Sequence, residues 1–201
     1  MIETKSYSKT KIITCQQSKH GELVCGDSYY TIETDEYFFT GVADGLGSGA
    51  EAKKASEQAV HTFREHHHQS LKHIVFHCNQ NLQTTRGAVI GALKLDFKSG
   101  LITFAGVGNI QCLLLYPDQT FKGAISVPGY LSGRRYRMRE MSFPFFRQSM
   151  FLMYSDGISI EREAIKRYAE EQDPEKMVQR ILPPVETEYK DDLTLISGKY
   201  F

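Results

Sequence analysis

Residues 38–49, Phe38-Phe39-Thr40-Gly41-Val42-Ala43-Asp44-Gly45-Leu46-Gly47-Ser48-Gly49, run from an apolar stretch into an aspartate and then a glycine-rich turn. Phe38–Ala43 is apolar enough for a central strand, and Asp44-Gly45 sits at its C-terminal end. The next block, from Ser48 to about His66, carries Ala with Glu/Lys pairs suited to a helix with one exposed face. The same sentence is written again at Met150-Phe151-Leu152-Met153-Tyr154, which ends in Ser155-Asp156-Gly157. Two more acidic sites stand where a strand begins: Asp27 in Cys25-Gly26-Asp27-Ser28, and Asp191-Asp192 before Leu193-Thr194.

Working outward, strands are expected at Lys11–Gln16, Ser28–Glu33 and Tyr37–Ala43, then helices at Ser48–His66 and Ser70–Leu82. Strands resume at Ala88–Phe97, Leu101–Val107 and Gln111–Tyr116, with Lys98-Ser99-Gly100 as a hairpin connection. Gly129–Gly133 reads as an irregular loop, and Tyr136–Ser142 and Met150–Tyr154 as further strands. Helices at about Ile160–Glu170 and Pro174–Leu182 follow, with Asp173 as cap and Pro174 at the first helical position. Leu193–Ser197 is the last strand. This order has no repeating βαβ series, so it predicts an α+β arrangement of antiparallel sheets with helices outside them.

The 201 residues contain no repeat, low-complexity tract or linker, and one domain over 1–201 is expected. Lys+Arg and Asp+Glu are both 24, a balance that argues against nucleic-acid binding. No apolar run approaches the ~20 residues of a membrane helix, and the start lacks the layout of a secretory signal, so a cytoplasmic location and no membrane partner are expected. Cys15, Cys25, Cys78 and Cys112 form no C-x-x-C pair and read as reduced, mostly buried thiols.

A lone Asp-Gly is usually a turn, and Asp27 or Asp191 alone could be an ordinary cap. Two strand-end Asp-Gly pairs and a strand-start Asp-Asp are harder to dismiss together. Clustered carboxylates repel, so a fold that gathers them calls for a cation. Oxygen ligands suit Mg²⁺ and Mn²⁺, and two such ions roughly 3.5–4 Å apart can clamp a phosphoryl group and acidify an attacking water.

Cys25-Gly26-Asp27-Ser28, Val42-Ala43-Asp44-Gly45-Leu46-Gly47-Ser48-Gly49, Val107-Gly108-Asn109, Ser155-Asp156-Gly157 and Lys190-Asp191-Asp192-Leu193-Thr194 resemble, in order, the motifs of the protein phosphatase 2C (PPM) family. They span about residue 20 to residue 197, and the short form resembles the bacterial stress-signalling branch. The resemblance implies a four-layer αββα sandwich with two Mn²⁺ or Mg²⁺ at one edge. It implies that Asp44 holds both cations with the Gly45 carbonyl on one, that Asp156 and Asp191 complete the other, that Asp27 acts through water or as an outer ligand, and that Asp192 supports Asp191 or exchanges roles with it. The implied activity is hydrolysis of phosphoserine, with phosphothreonine as a wider class. Its partners would be phosphorylated stressosome scaffold and antagonist proteins, its role negative feedback on the general stress response, and its state a monomer.

Three positions depart from the family pattern. Gly21-Glu22-Leu23-Val24 stands where larger relatives carry a phosphate-gripping arginine, Leu46 where they carry a histidine, and Asn109 where many have aspartate. These departures leave open a second reading, a non-catalytic phosphoprotein-binding regulator with the same fold. A third, nucleotide-binding oxidoreductase, rests on the loose G-x-G-x-x-A match at Gly45–Ala50; Asp44 would oppose the cofactor's phosphates, and no parallel βαβ unit follows. His73 and His77 lack the glutamate of a zinc-peptidase helix and read as partly buried helix residues, while His66-His67-His68 reads as a helix end in solvent. Arg135, Arg137 and Arg139 would share one face of a strand, either as a solvated edge or as a docking strip for an acidic phosphoprotein.

Overall fold

The computed structural model describes residues 2–182 and 189–201. One sheet is ordered β1 (Ile2–Ser6), β2 (Thr10–Gln17), β11 (Leu193–Tyr200), β10 (Met150–Tyr154), β7 (Gln111–Leu115), β8 (Phe121–Ile125). The other is ordered β3 (Asp27–Glu33), β4 (Tyr37–Gly45), β5 (Ala88–Asp96), β6 (Leu101–Val107), β9 (Glu140–Pro144). Every neighbouring pair is antiparallel. Helices α1 (Gly49–His66) and α2 (Leu71–Asn81) cover the second sheet; α3 (Arg162–Ala169) and α4 (Pro174–Ile181) cover the first.

The period of a strand explains why the central runs are apolar throughout. Phe38 and Val42 of β4 point between the sheets, while Phe39 and Ala43 point at α1 and α2. In β10, Phe151 and Met153 enter the inter-sheet core, and Met150, Leu152 and Tyr154 face α3 and α4. Both faces are buried, so no polar alternation survives. The result is a four-layer αββα sandwich, as the motif resemblance implied. No helix among the described residues is long and apolar enough to cross a membrane.

Three details differ from the sequence reading. Edge strands β1 and β8, mostly exposed, carry too little apolar alternation to be seen in the sequence. The strand expected at Tyr136–Ser142 is shifted: the ladder with β6 runs from Glu140 to Pro144, and 134–139 lies outside it. That segment keeps an extended alternation, because Tyr136 and Met138 pack on the helix-side core while Arg135, Arg137 and Arg139 are exposed. Finally, His67 is not in solvent. Its ring lies beside Tyr30, Tyr37 and Phe39, and Nδ1 meets the Tyr37 hydroxyl at 2.9 Å.

The expected Asp173 cap is present: its carboxylate accepts from the Glu175 and Lys176 amides at 2.8 and 3.3 Å. Cys15, Cys78 and Cys112 are buried free thiols, and Cys25 is half-buried.

Candidate active site

The acidic residues meet at one edge of the sandwich because four strand ends meet there. Asp27 opens β3 and stands opposite Asp44, near the end of β4, in the antiparallel register. Asp156 follows β10, and Asp191-Asp192 precedes β11, the neighbour of β10 in the other sheet. Ser155 ties the sheets together: its hydroxyl donates to Asp27 Oδ2 at 2.7 Å and accepts from the Thr194 amide at 2.9 Å. The turn at Gly157 packs so closely on the 191–192 segment that a Cβ there would collide with the Asp192 carbonyl.

Each acid has a distinct environment. Asp27 is fully buried, and its Oδ1 has no hydrogen-bond partner among the described residues. Asp192 is 5% exposed, and its oxygens accept the Gly26 amide at 2.8 Å and the Lys19 amide at 3.0 Å. Asp44 is half-buried; Asp156 and Asp191 are exposed. The Asn109 side-chain amide donates to Asp156 Oδ2 at 2.6 Å, so the amide occupies one lone pair of that carboxylate.

Burial, then the charges of Asp27, Asp156, Asp191 and Asp192, push the Asp44 carboxyl up to about 8. Burial raises Asp27 to about 6 against the opposing Ser155 hydrogen bond. Asp156 is also raised, by burial and by Asp191. Among the described residues, no three Asp, Glu, His or Cys side chains are drawn together as a finished cation cage. Burial first, and then the charges of neighbouring carboxylates, raise these acids. A buried carboxylate oxygen without a partner, beside an all-oxygen donor set, fits a hard divalent cation.

The sequence reading missed two residues here. Ser155 lies within a quoted motif, but its link to Asp27 depends on how the sheets pack. Arg86 precedes β5, and its guanidinium lies over Gly47. It pairs with no carboxylate among the described residues. By contrast, Lys53 Nζ is held by the Asp27 carbonyl and the Ser28 hydroxyl, each at 3.1 Å, and Lys19 Nζ lies 3.9 Å from Glu22. Leu46, at the position of the expected histidine, packs against the inter-sheet core. Glu22, in the stretch where an arginine was missing, lies beside Gly49 at the start of α1, a position that suits a negative charge. Arg135 and Arg137 line a groove beside this edge; Arg139 does not.

Comparison with known proteins agrees with this fold. The model of the family "Stage II sporulation protein E (SpoIIE)" matches residues 34–200. Phosphoserine phosphatase RsbX of Bacillus subtilis (strain 168) is 28% identical over 199 residues, which is 99% of this chain and 99% of that protein. A crystal structure of RsbX in complex with magnesium superposes with a TM-score of 0.92 at 28% identity, covering 100% of both chains. A chain from a structure of the bacterial stressosome, described as a modular system adapted to control secondary messenger signaling, gives 0.84 at 26% identity, covering 96% of this chain and 100% of that one. The chain belongs to the Stage II sporulation protein E (SpoIIE) family, as a protein phosphatase of the PP2C type.

Proposed function

We propose that this chain is a divalent-cation-dependent phosphoserine phosphatase acting on phosphorylated scaffold and antagonist proteins of a stressosome pathway. The observation that carries the reading is the acid edge itself: buried Asp27, with one oxygen unpartnered among the described residues, in register with Asp44 and facing the Asp156 and Asp191 turns of the other sheet. Asp44, the Gly45 carbonyl, Asp156 and Asp191 would hold two Mn²⁺ or Mg²⁺ ions. Asp27 serves from the buried side. Asp192, with both oxygens engaged by backbone amides, braces the Asp191 turn. When bound, the cations supply positive charge to the phosphoryl oxygens and an acidified water.

The remaining work falls to the chain's own side chains. Arg86 holds phosphate oxygens in place of the absent arginine. Asn109 fixes the rotamer of Asp156 through its 2.6 Å hydrogen bond. Asp27 is kept from turning by the Ser155 hydroxyl. Consuming one water, the reaction releases serine and orthophosphate, and in the pathway it returns the substrate proteins to their resting, unphosphorylated state. Arg135, Arg137 and Arg139 form an exposed positive strip where an acidic phosphoprotein docks. The similarity to RsbX, a phosphoserine phosphatase, and to the stressosome chain supports this substrate class; in this reading the enzyme is cytoplasmic and monomeric.

The test is hydrolysis of para-nitrophenyl phosphate and of a phosphorylated scaffold protein with Mn²⁺ and with chelator. Activity is expected only with the cation. Asp44→Asn is expected to lose at least ~10³-fold in kcat while remaining folded. A wild-type chain that binds phosphoproteins but hydrolyses neither substrate would favour the non-catalytic regulator.

A further inference from the structure

Beside the acid edge lies a groove of about 460 Å³ of opposite character. Its wall carries Tyr130, Ser132, Arg134, Arg135, Tyr136 and Arg137, with no carboxylate among the described lining residues. The three arginines are exposed and pair with no carboxylate among the described residues. The Ser132 hydroxyl is buried and has no hydrogen-bond partner among the described residues. An unpaired buried hydroxyl is costly unless something else satisfies it.

The wall is held in shape before any ligand arrives. Asn79, 5% exposed, accepts the Ser132 and Gly133 amides at 3.1 and 3.0 Å and donates to the Arg134 carbonyl at 3.0 Å. Leu131 exchanges backbone hydrogen bonds of 2.9 and 3.0 Å with Ala88, which stands opposite Gly45 in the register. The groove therefore starts one strand position from the acid edge. On its other flank, Val107 lines it two residues before Asn109, the partner of Asp156.

We infer that this groove is a second phosphoryl-binding subsite, which takes a phosphorylated serine of the protein substrate other than the one being hydrolysed. Three guanidinium forks suit a dianion, and the residues lining the groove with them bring two phenols and a hydroxyl. Without a carboxylate in the wall, the groove holds no catalytic cation and binds without cleaving. The proposal rests on the phosphatase reading for the identity of the partner alone; phosphoryl binding in the groove stands apart from the chemistry at the acid edge.

Chelator separates the two sites. Stripped of cations, the acid edge repels phosphate, so binding of a phosphoserine peptide to EDTA-treated protein reports the groove. Calorimetry is expected to show binding that weakens by roughly 10-fold or more in Arg135→Ala/Arg137→Ala, and by several-fold in Ser132→Ala. The unphosphorylated peptide should bind at least roughly 10-fold more weakly. Arg180→Ala, which removes one exposed charge on α4, should bind as wild type does.

Absence of binding in EDTA, equal loss in Arg180→Ala and the groove variants, or equal affinity for the unphosphorylated peptide would each overturn the subsite. So would tighter binding of a single-stranded oligonucleotide. Mn²⁺-dependent hydrolysis of para-nitrophenyl phosphate, measured on the same preparations, reads the acid edge separately. A failure of the phosphatase reading is thus visible apart from a failure of the groove.

Discussion

Arg86 owes its position to a register, not to a motif. Asp44 pairs with Val89 and Gly45 with Ala88, and the Leu46 amide donates to the Gly87 carbonyl at 2.9 Å. One step further, Arg86 faces Gly47, whose φ of +103° suits glycine. A Cβ at Gly47 would lie 2.9 Å from Arg86 Nη1, so another residue there would push the guanidinium aside. A guanidinium that pairs with no carboxylate among the described residues, at the rim of five acids, has one natural ligand there, an anion brought in with cations. Arg86→Ala should weaken inhibition by orthophosphate roughly 10- to 100-fold, the worth of hydrogen bonds to a charged group. Cation affinity, read by calorimetry, should stay at the wild-type value. Arg86→Lys should recover part of the loss, because a point charge lacks the planar fork. Unchanged phosphate inhibition in Arg86→Ala would remove this residue from the site. The aspartates were legible because each stands beside its own apolar strand in the sequence. Arg86 was not, because nothing local in Thr84-Thr85-Arg86-Gly87 reveals which turn it will face.

At the scale of elements, legibility followed burial. Strands β4 and β10 and helix α1 announce themselves by continuous apolar runs or by a helical face, since packing demands those residues. Strands β1 and β8 lie at the sheet edge, where solvent accepts almost any side chain. The strand expected at Tyr136–Ser142 begins four residues too early because the alternation over 136–139 is real, yet Tyr136 and Met138 anchor that stretch to the helix-side core and not to a neighbouring ladder. An element-level link that no periodicity displays is the cap of α1. Lys94 of β5 sends its ammonium to the carbonyls of His67, His68 and Gln69 at 2.9, 3.2 and 3.0 Å. The same ammonium lies 4.0 Å from the centre of the Tyr37 ring. Burial lowers the Lys94 pKa, so the three carbonyls take the place of lost water. Lys94→Met keeps the stem and removes the donors. It should cost about 1–3 kcal/mol, which in a domain of this size lowers Tm by roughly 2–4 °C per kcal/mol. Phosphatase kcat should hold, because Lys94 pairs with Phe39, five positions back along β4 from Asp44. A thermal melt and one rate measurement decide it.

Across the whole molecule, a formal charge of zero conceals a separation: acids at one edge of the sandwich, arginines in the groove beside it. Composition could not show this, because it averages over a surface that the two sheets divide. The separation has a consequence for stability. Asp44 and Asp27 are raised to about 8 and about 6, in both cases chiefly by burial. An acid raised in the folded state holds its proton there after the unfolded chain has released it. Its contribution is complete below about pH 4, the usual carboxylate range. It is lost as pH rises through 6 and 8, because the unfolded state then binds fewer protons. Cation-free protein should therefore melt at progressively lower temperature from pH 5 to pH 8, and Asp44→Asn should flatten that slope. Divalent cations reverse the logic, because they bind the ionised carboxylates and displace the same protons. At a concentration 100 times its Kd, a single bound ion stabilises by about 2.7 kcal/mol. The rise in Tm on adding Mg²⁺ should consequently be larger at pH 8 than at pH 6, where protons still compete. Melting curves in EDTA and in Mg²⁺ at the two pH values measure both effects. Equal curves with and without Mg²⁺ at pH 8 would mean that the acid edge holds no cation.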